Sequence, residues 1–139
     1  MALAKPIKGI IGACLTPFGE DERVDYDALK REIDFLISDC DAISIAAVEA
    51  AEYTMLSRED RKELLRVGTE LVEKRAPVLI GCSSPSPREV IELAEYGAKV
   101  GGDMAQVLMP LRPWGGQPTI AELMEFFTQV ASASPLPIV

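Results

Sequence analysis

The chain has 139 residues, 48% of them hydrophobic, with a formal net charge of −8 and a pI near 4.6. That length and apolar content suit one ordinary domain with a sizeable core, and the acidic balance argues against nucleic acid or an anionic membrane as partner. No apolar run is long enough for a transmembrane helix, the opening MALAKPIKGI lacks the apolar centre and cleavage site of a signal peptide, and there is no histidine. The cysteines Cys14, Cys40 and Cys82 are odd in number, widely spaced and form no CxxC pair. The expectation is three reduced, mostly buried thiols in a cytoplasmic protein, with no zinc site and no cofactor.

In chain order, residues 9–15 (GIIGACL) read as a short strand stopped by Thr16-Pro17. A helix is predicted from Asp25. Tyr26, Leu29, Ile33, Leu36 and Ile37 share one face, with Lys30, Arg31 and Asp34 opposite. Residues 42–48 form a second, buried strand. Ser57 caps the next helix, with an acid three positions on and an apolar face of Leu64, Leu65, Leu71 and Val72. Residues 77–81 are a third strand, apolar throughout and so expected to be covered on both faces.

Ser86-Pro87-Arg88-Glu89 reads as a helix start, with serine as cap, proline where no amide hydrogen is needed and Glu89 reaching back. That helix runs through Val90, Ile91 and Ala94 to about Lys99, where Gly101 and Gly102 stop it. Residues 105–109 give a fourth strand, ended by Pro110. Thr119 and Glu122 open a fourth helix through a capping box, its face formed by Ile120, Leu123, Met124, Phe127 and Val130. Ser134-Pro135 ends it, and residues 136–139 read as the start of a fifth strand.

The pattern is βα four times and then β, with strands starting roughly every 30 residues, the size of a βαβ unit. Such units build a parallel sheet with covering helices, either open or closed as a (β/α)8 barrel. The sequence ends within an apolar strand, whereas an open sheet normally finishes with a covering helix. The expectation is therefore α/β, a (β/α)8 TIM barrel. Residues 1–139 would supply its first four βα units and the start of strand five, as the N-terminal portion of a single domain.

Chemistry is expected at the carboxyl ends of the strands, so the stretch from Ala42 to Ser57 is the first place to look. There is no GxGxxG, GxxxxGK[ST] or GxSxG motif, and without histidine no Ser-His or Cys-His pair. Glu49 and Glu52, three apart near a strand end, have two readings: reach to one Mg²⁺, or one acid facing solvent and one bonding to backbone. None of Lys5, Lys8, Lys30, Lys62, Lys74 and Lys99 falls at the carboxyl end of a strand, where an imine-forming lysine must be held and desolvated. Tyr53 reads as packing over a loop. Arg112, in MPLRPWGGQ, is either a carboxylate-binding group at the barrel mouth or a loop-stabilising cation. Trp114 beside it reads as a pocket wall or a contact between subunits.

Several segments, in order along nearly the whole chain, resemble the dihydrodipicolinate synthase / N-acetylneuraminate lyase family. They are GIIGACLTPFGEDERVDYDALKREIDFLI, EYTMLSREDRKELL, APVLIGCSSPSPREVIELAEYGAKVGGDMAQVLMP and PLPIV. The resemblance implies a (β/α)8 barrel, usually tetrameric or dimeric, and class I aldolase or lyase chemistry on pyruvate or another 2-oxo acid. That chemistry runs through a Schiff base on a lysine of strand six, which would fall beyond Val139, so the 139-residue chain alone is expected to be inactive.

The family's Gly-Thr-Thr-Gly-Glu falls on Val48-Glu49-Ala50-Ala51-Glu52. Glu49 and Ala50 stand where the two threonines bind the substrate carboxylate, and an ionised Glu49 would repel one. Glu52 matches, as do Thr16 and Pro17 in the turn after strand one. Leu111 and Arg112 replace tyrosines after strand four, and a guanidinium cannot relay protons as a phenol does. The substrate-binding set implied is thus Thr16, Glu49, Ala50, Glu52 and Arg112. The parent expectation is a Schiff-base lyase with an altered substrate loop. The alternative is a non-catalytic ligand-binding or assembly paralogue.

Overall fold

The computed structural model describes residues 8–48, 51–110 and 116–139. Four strands, β1 (Ile11–Ala13), β2 (Ala42–Ile45), β3 (Val78–Gly81) and β4 (Met104–Gln106), form one sheet in the order β1-β2-β3-β4, all neighbours parallel. Between and after them run the helices α1 (Tyr26–Asp39), α2 (Arg58–Val72), α3 (Pro87–Val100) and α4 (Ile120–Ala133). The expected fifth strand is present at its start. Ile138 bridges Ala105 in parallel, Ala105 N donates to the Pro137 carbonyl at 2.9 Å, and Val139 N donates to the Ala105 carbonyl at 2.9 Å.

The helices lie on one face of this sheet. Leu29 and Ile33 of α1, Leu64, Leu65 and Val72 of α2, Val90, Leu93 and Ala94 of α3 and Val130 of α4 are buried against Ile43, Ile45 and Ile80 of the strands. Each such leucine, isoleucine or valine contributes roughly 1.5–3 kcal/mol by leaving water. The side chains of Ile45 and Ile80 lie against Gly68 and Gly97, so α2 and α3 sit close on the sheet. The opposite face carries Ser44, whose hydroxyl donates to the Gln106 side-chain oxygen at 2.8 Å. That bond runs between alternate strands, β2 and β4, as expected for one layer of a barrel interior.

The helix ends follow local rules, with one correction. Asp25 accepts from Ala28 N, and Ser57 accepts from Asp60 N. Thr119 and Glu122 form the full capping box. Gly101, at φ +98, closes α3 in the left-handed region that glycine takes without penalty. Ser86, expected to cap α3, makes no capping bond. Ser84 takes over instead: its hydroxyl accepts from Ser86 N at 3.1 Å and donates to Glu89 at 2.7 Å.

Three further expectations change. β2 stops at Ile45 rather than residue 48, because Ala46 turns to φ +52 and leads the chain out of the sheet. β4 spans Met104–Gln106 rather than residues 105–109. On α4, Ile120 is 81% and Met124 65% exposed, while Phe126 is buried. As the last helix in the row, α4 packs chiefly on α3, so its burial turns toward Phe126, Phe127 and Val130.

Candidate functional site

The carboxyl ends of the strands converge on one rim, and the sequence-derived site residues divide there. Thr16, just past β1, is 4% exposed and its hydroxyl donates to the Ala51 carbonyl. The turn after β1 is thereby tied to the loop after β2. Glu52 is exposed, at φ +50, and leads into a 3-10 turn at Tyr53–Met55. Glu49, Ala50 and Arg112, with Trp114 and Lys5, lie outside the described residues, so the Mg²⁺ reading of Glu49 and Glu52 rests partly outside them too.

Sequence reasoning passed over Arg61. It sits one position past the capping acid of α2, yet it is only 7% exposed. Its Nη1 donates to the Ser83 carbonyl at 2.9 Å and its Nη2 to the Gly81 carbonyl at 3.0 Å, while the guanidinium carbon lies 4.5 Å from the centre of the Tyr53 ring. Among the described residues no carboxylate forms an ion pair with it, Glu89 acting only as a charge at longer range, and its Nε is buried without a partner. Burial, the largest influence, pushes its pKa down from the usual arginine value. A signal was available in the sequence: Arg61, Leu64, Leu65, Gly68 and Val72 fall on one helical stripe, so a cation stands on the apolar face.

The rim is cross-tied further. The Ser83 hydroxyl accepts from Leu108 N at 2.9 Å, linking the ends of β3 and β4. A cavity of about 230 Å³ opens between these ends and the 3-10 turn, with Tyr53, Ser83, Leu108 and Met109 on its walls. Gly81 is required at this level. A Cβ there would lie 1.9 Å from the Ala46 carbonyl oxygen, backbone that has no room to move aside.

No described lysine stands at a strand's carboxyl end. Lys30 pairs with Asp34 on α1, the Lys62 ammonium lies 5.5 Å from the Tyr96 ring centre, and Lys99 is in the last turn of α3. The thiols of Cys14 and Cys82 are free and buried, and burial pushes both up to about 12. They are core groups and not nucleophiles near neutral pH. Among the described residues, no helix is long and apolar enough to cross a membrane.

Comparison with known proteins supplies the wider frame. The family model described as "Dihydrodipicolinate synthetase family" matches residues 6–139. A 4-hydroxy-tetrahydrodipicolinate synthase from Methylibium petroleiphilum is 36% identical over 136 residues, covering 97% of this chain and 45% of its own. Its counterpart from Methanocaldococcus jannaschii is 33% identical over 132 residues, covering 95% and 44%. Among solved structures, the chloride-inhibited dihydrodipicolinate synthase of Acinetobacter baumannii, complexed with pyruvate, superposes with a TM-score of 0.87 at 28% identity, covering 96% of this chain and 45% of its own. A prophage protein of the dihydrodipicolinic acid synthase family from E. coli, also in complex with pyruvate, gives 0.84 at 32% identity, covering 94% and 43%.

The chain spans about half the length of these relatives. Its four βα units and the start of a fifth strand are the first units of a (β/α)8 barrel. This chain belongs to the dihydrodipicolinate synthetase family.

Proposed function

We propose that residues 1–139 are the N-terminal portion of a single barrel domain. In its complete form this barrel is a class I lyase or aldolase acting on pyruvate or another 2-oxo acid in the cytoplasm, as a homo-oligomer. The lysine amine would add to the 2-oxo carbon with loss of water, and the resulting iminium would accept the electrons released when a bond at the neighbouring carbon breaks or a proton leaves. That lysine is assigned to the part of the barrel that this chain does not span, since no described lysine stands at the rim.

The observation that carries the reading is the tie from Thr16 to Ala51. It brings the turn after β1 against the loop after β2, at the strand ends where (β/α)8 barrels place substrate. Within that frame Thr16, Glu49, Ala50 and Glu52 line the substrate side, and Arg112 holds the substrate carboxylate in place of the family's threonines. Replacement of those threonines by Glu49 and Ala50 supports a substrate loop rebuilt for a 2-oxo acid other than the synthase's own.

The test is to incubate the protein carrying its complete barrel with pyruvate and other 2-oxo acids, add borohydride and weigh the product. A mass increase from a reduced imine is expected. No adduct with any 2-oxo acid would sink the lyase reading and favour a non-catalytic ligand-binding or assembly paralogue. Arg112→Ala is expected to raise the KM for a carboxylate substrate, and an unchanged KM would remove Arg112 from the site.

A further inference from the structure

The carbonyls of Gly81 and Ser83 have lost a strand partner. In a parallel pair, every second carbonyl of one strand faces the same neighbour. On the β2 side of β3 that series begins at Pro77, whose carbonyl accepts from Ile43 N at 2.9 Å, and it continues at Leu79, Gly81 and Ser83. In that register the amide of Ala47 would face Gly81, and a β2 running on past residue 48 would face Ser83. β2 does not run on, because Ala46 turns to φ +52 and its carbonyl crosses over Gly81.

The two carbonyls left over are the two that Arg61 takes, at 3.0 and 2.9 Å. The guanidinium fork therefore stands in for the missing end of a strand. The same group stacks on Tyr53, the residue after Glu52 and two after Ala51, whose carbonyl Thr16 holds. No other described side chain joins the end of β3 to the residues that follow the substrate loop in this way.

Neither an ion pair nor simple packing accounts for that arrangement. Burying a guanidinium with no ion pair among the described residues costs free energy, and Nε carries part of that cost without a partner. Two charge-assisted bonds and a cation–π contact offset it only where the planar fork spans both carbonyls. An ammonium is a point charge that cannot reproduce the fork and the stack together.

We infer that Arg61 is a positioning residue, which fixes the 3-10 turn at Tyr53–Met55 against the carboxyl end of β3 and so sets the geometry of the substrate side of the rim. This rests on the lyase reading for its functional consequence, but the clamp itself can be tested without it. Three variants of the protein carrying its complete barrel separate the possibilities: Arg61→Met, Arg61→Lys and Leu64→Ala. Leu64 is buried on the same helix and, as a hydrocarbon side chain, supplies neither the carbonyl bonds nor the cation–π contact, so it reports loss of stability.

Amide hydrogen exchange at Ala51, Met55 and Leu108 is the first readout. It should speed by about tenfold or more in both Arg61 variants relative to the α2 interior, because their local opening is no longer restrained. Unchanged exchange at all three would overturn the clamp. The KM for whichever 2-oxo acid the wild-type protein traps as an imine, pyruvate included, is the second readout. It should rise by about ten- to a hundredfold in both Arg61 variants, since small displacements of a binding group have effects of that size. Leu64→Ala should lower Tm and leave KM alone. A KM unmoved by Arg61→Met, or fully restored by Arg61→Lys, would overturn the positioning role. If the wild-type protein traps no imine, the lyase reading fails, and exchange alone decides whether Arg61 clamps the rim.

Discussion

Gly81 and Ala46 show how much of the rim depends on single residues. The Ala46 carbonyl occupies the space a side chain at 81 would need, at 1.9 Å from its Cβ. Gly81→Ala must therefore push β2 and β3 apart, and a loss of about 3 kcal/mol is expected, the upper range for overpacking. Urea unfolding checks it through a lower midpoint with an unchanged slope. The cysteines give a pH prediction. Cys14 and Cys82 ionise near 9.0 when unfolded and near 12 in the fold, so between those values the folded chain holds protons that the unfolded chain has lost. Their contribution is complete below pH 9 and declines from pH 9 to 12, by up to about 1.4 kcal/mol per pH unit for each thiol. A Cys14→Ala, Cys82→Ala double variant should show a flatter fall of stability over that window, and at pH 8 an aromatic disulfide reagent should modify half-buried Cys40 first. A chemist reading the sequence can place these thiols in the core, but not Arg61's role, because its two acceptors lie 20 and 22 positions away.

The helices were legible because their starting and stopping signals are local. Asp25, Ser57, Thr119 and Gly101 act within a few positions of the ends they set. Thr119→Ala is expected to cost about 1 kcal/mol, read by thermal unfolding, since it removes the hydroxyl that accepts from Glu122 N while the backbone N–H at 119 still donates to the Glu122 carboxylate. Ser86 and Ser84 offer a sharper comparison. Sequence favours Ser86 as the cap of α3, but the hydroxyl that is bonded belongs to Ser84. Ser86→Ala should therefore stay within about 0.5 kcal/mol of the parent, while Ser84→Ala should cost about 1–2 kcal/mol. The reverse order would show that the Ser84–Glu89 bond does not hold this helix start. Strand ends were less legible. A run of apolar residues signals burial equally well inside a strand and after it, and residues 46 and 47 are buried without being paired.

At the scale of the molecule, exposed apolar groups lie along the rim, at Leu15, Phe18, Met55 and Met109, and at both ends of the sheet. Ile10 and Ile11 lie at the β1 edge, Phe35 on α1, Val139 at the opposite edge, and Ile120 and Met124 on α4. Expressed as residues 1–139 alone, the chain should bind a hydrophobic dye and self-associate as its concentration rises, because unpaired strand edges and apolar patches favour association. A monodisperse monomer without dye binding would contradict this. The sequence by itself determined the alternation of strands and helices, the parallel sheet, the helix caps and the family. Each of these is written in periodicity, in local turn chemistry or in an ordered set of segments. Tertiary structure alone decided where β2 leaves the sheet, which side of α4 is buried and what a buried arginine does. The physical reason is shared: each depends on a backbone group or neighbour far away in the chain, and hydrogen-bond satisfaction is settled only when those groups meet. The carbonyls of Gly81 and Ser83 became orphans when Ala46 turned away, and Arg61 was in place to receive them.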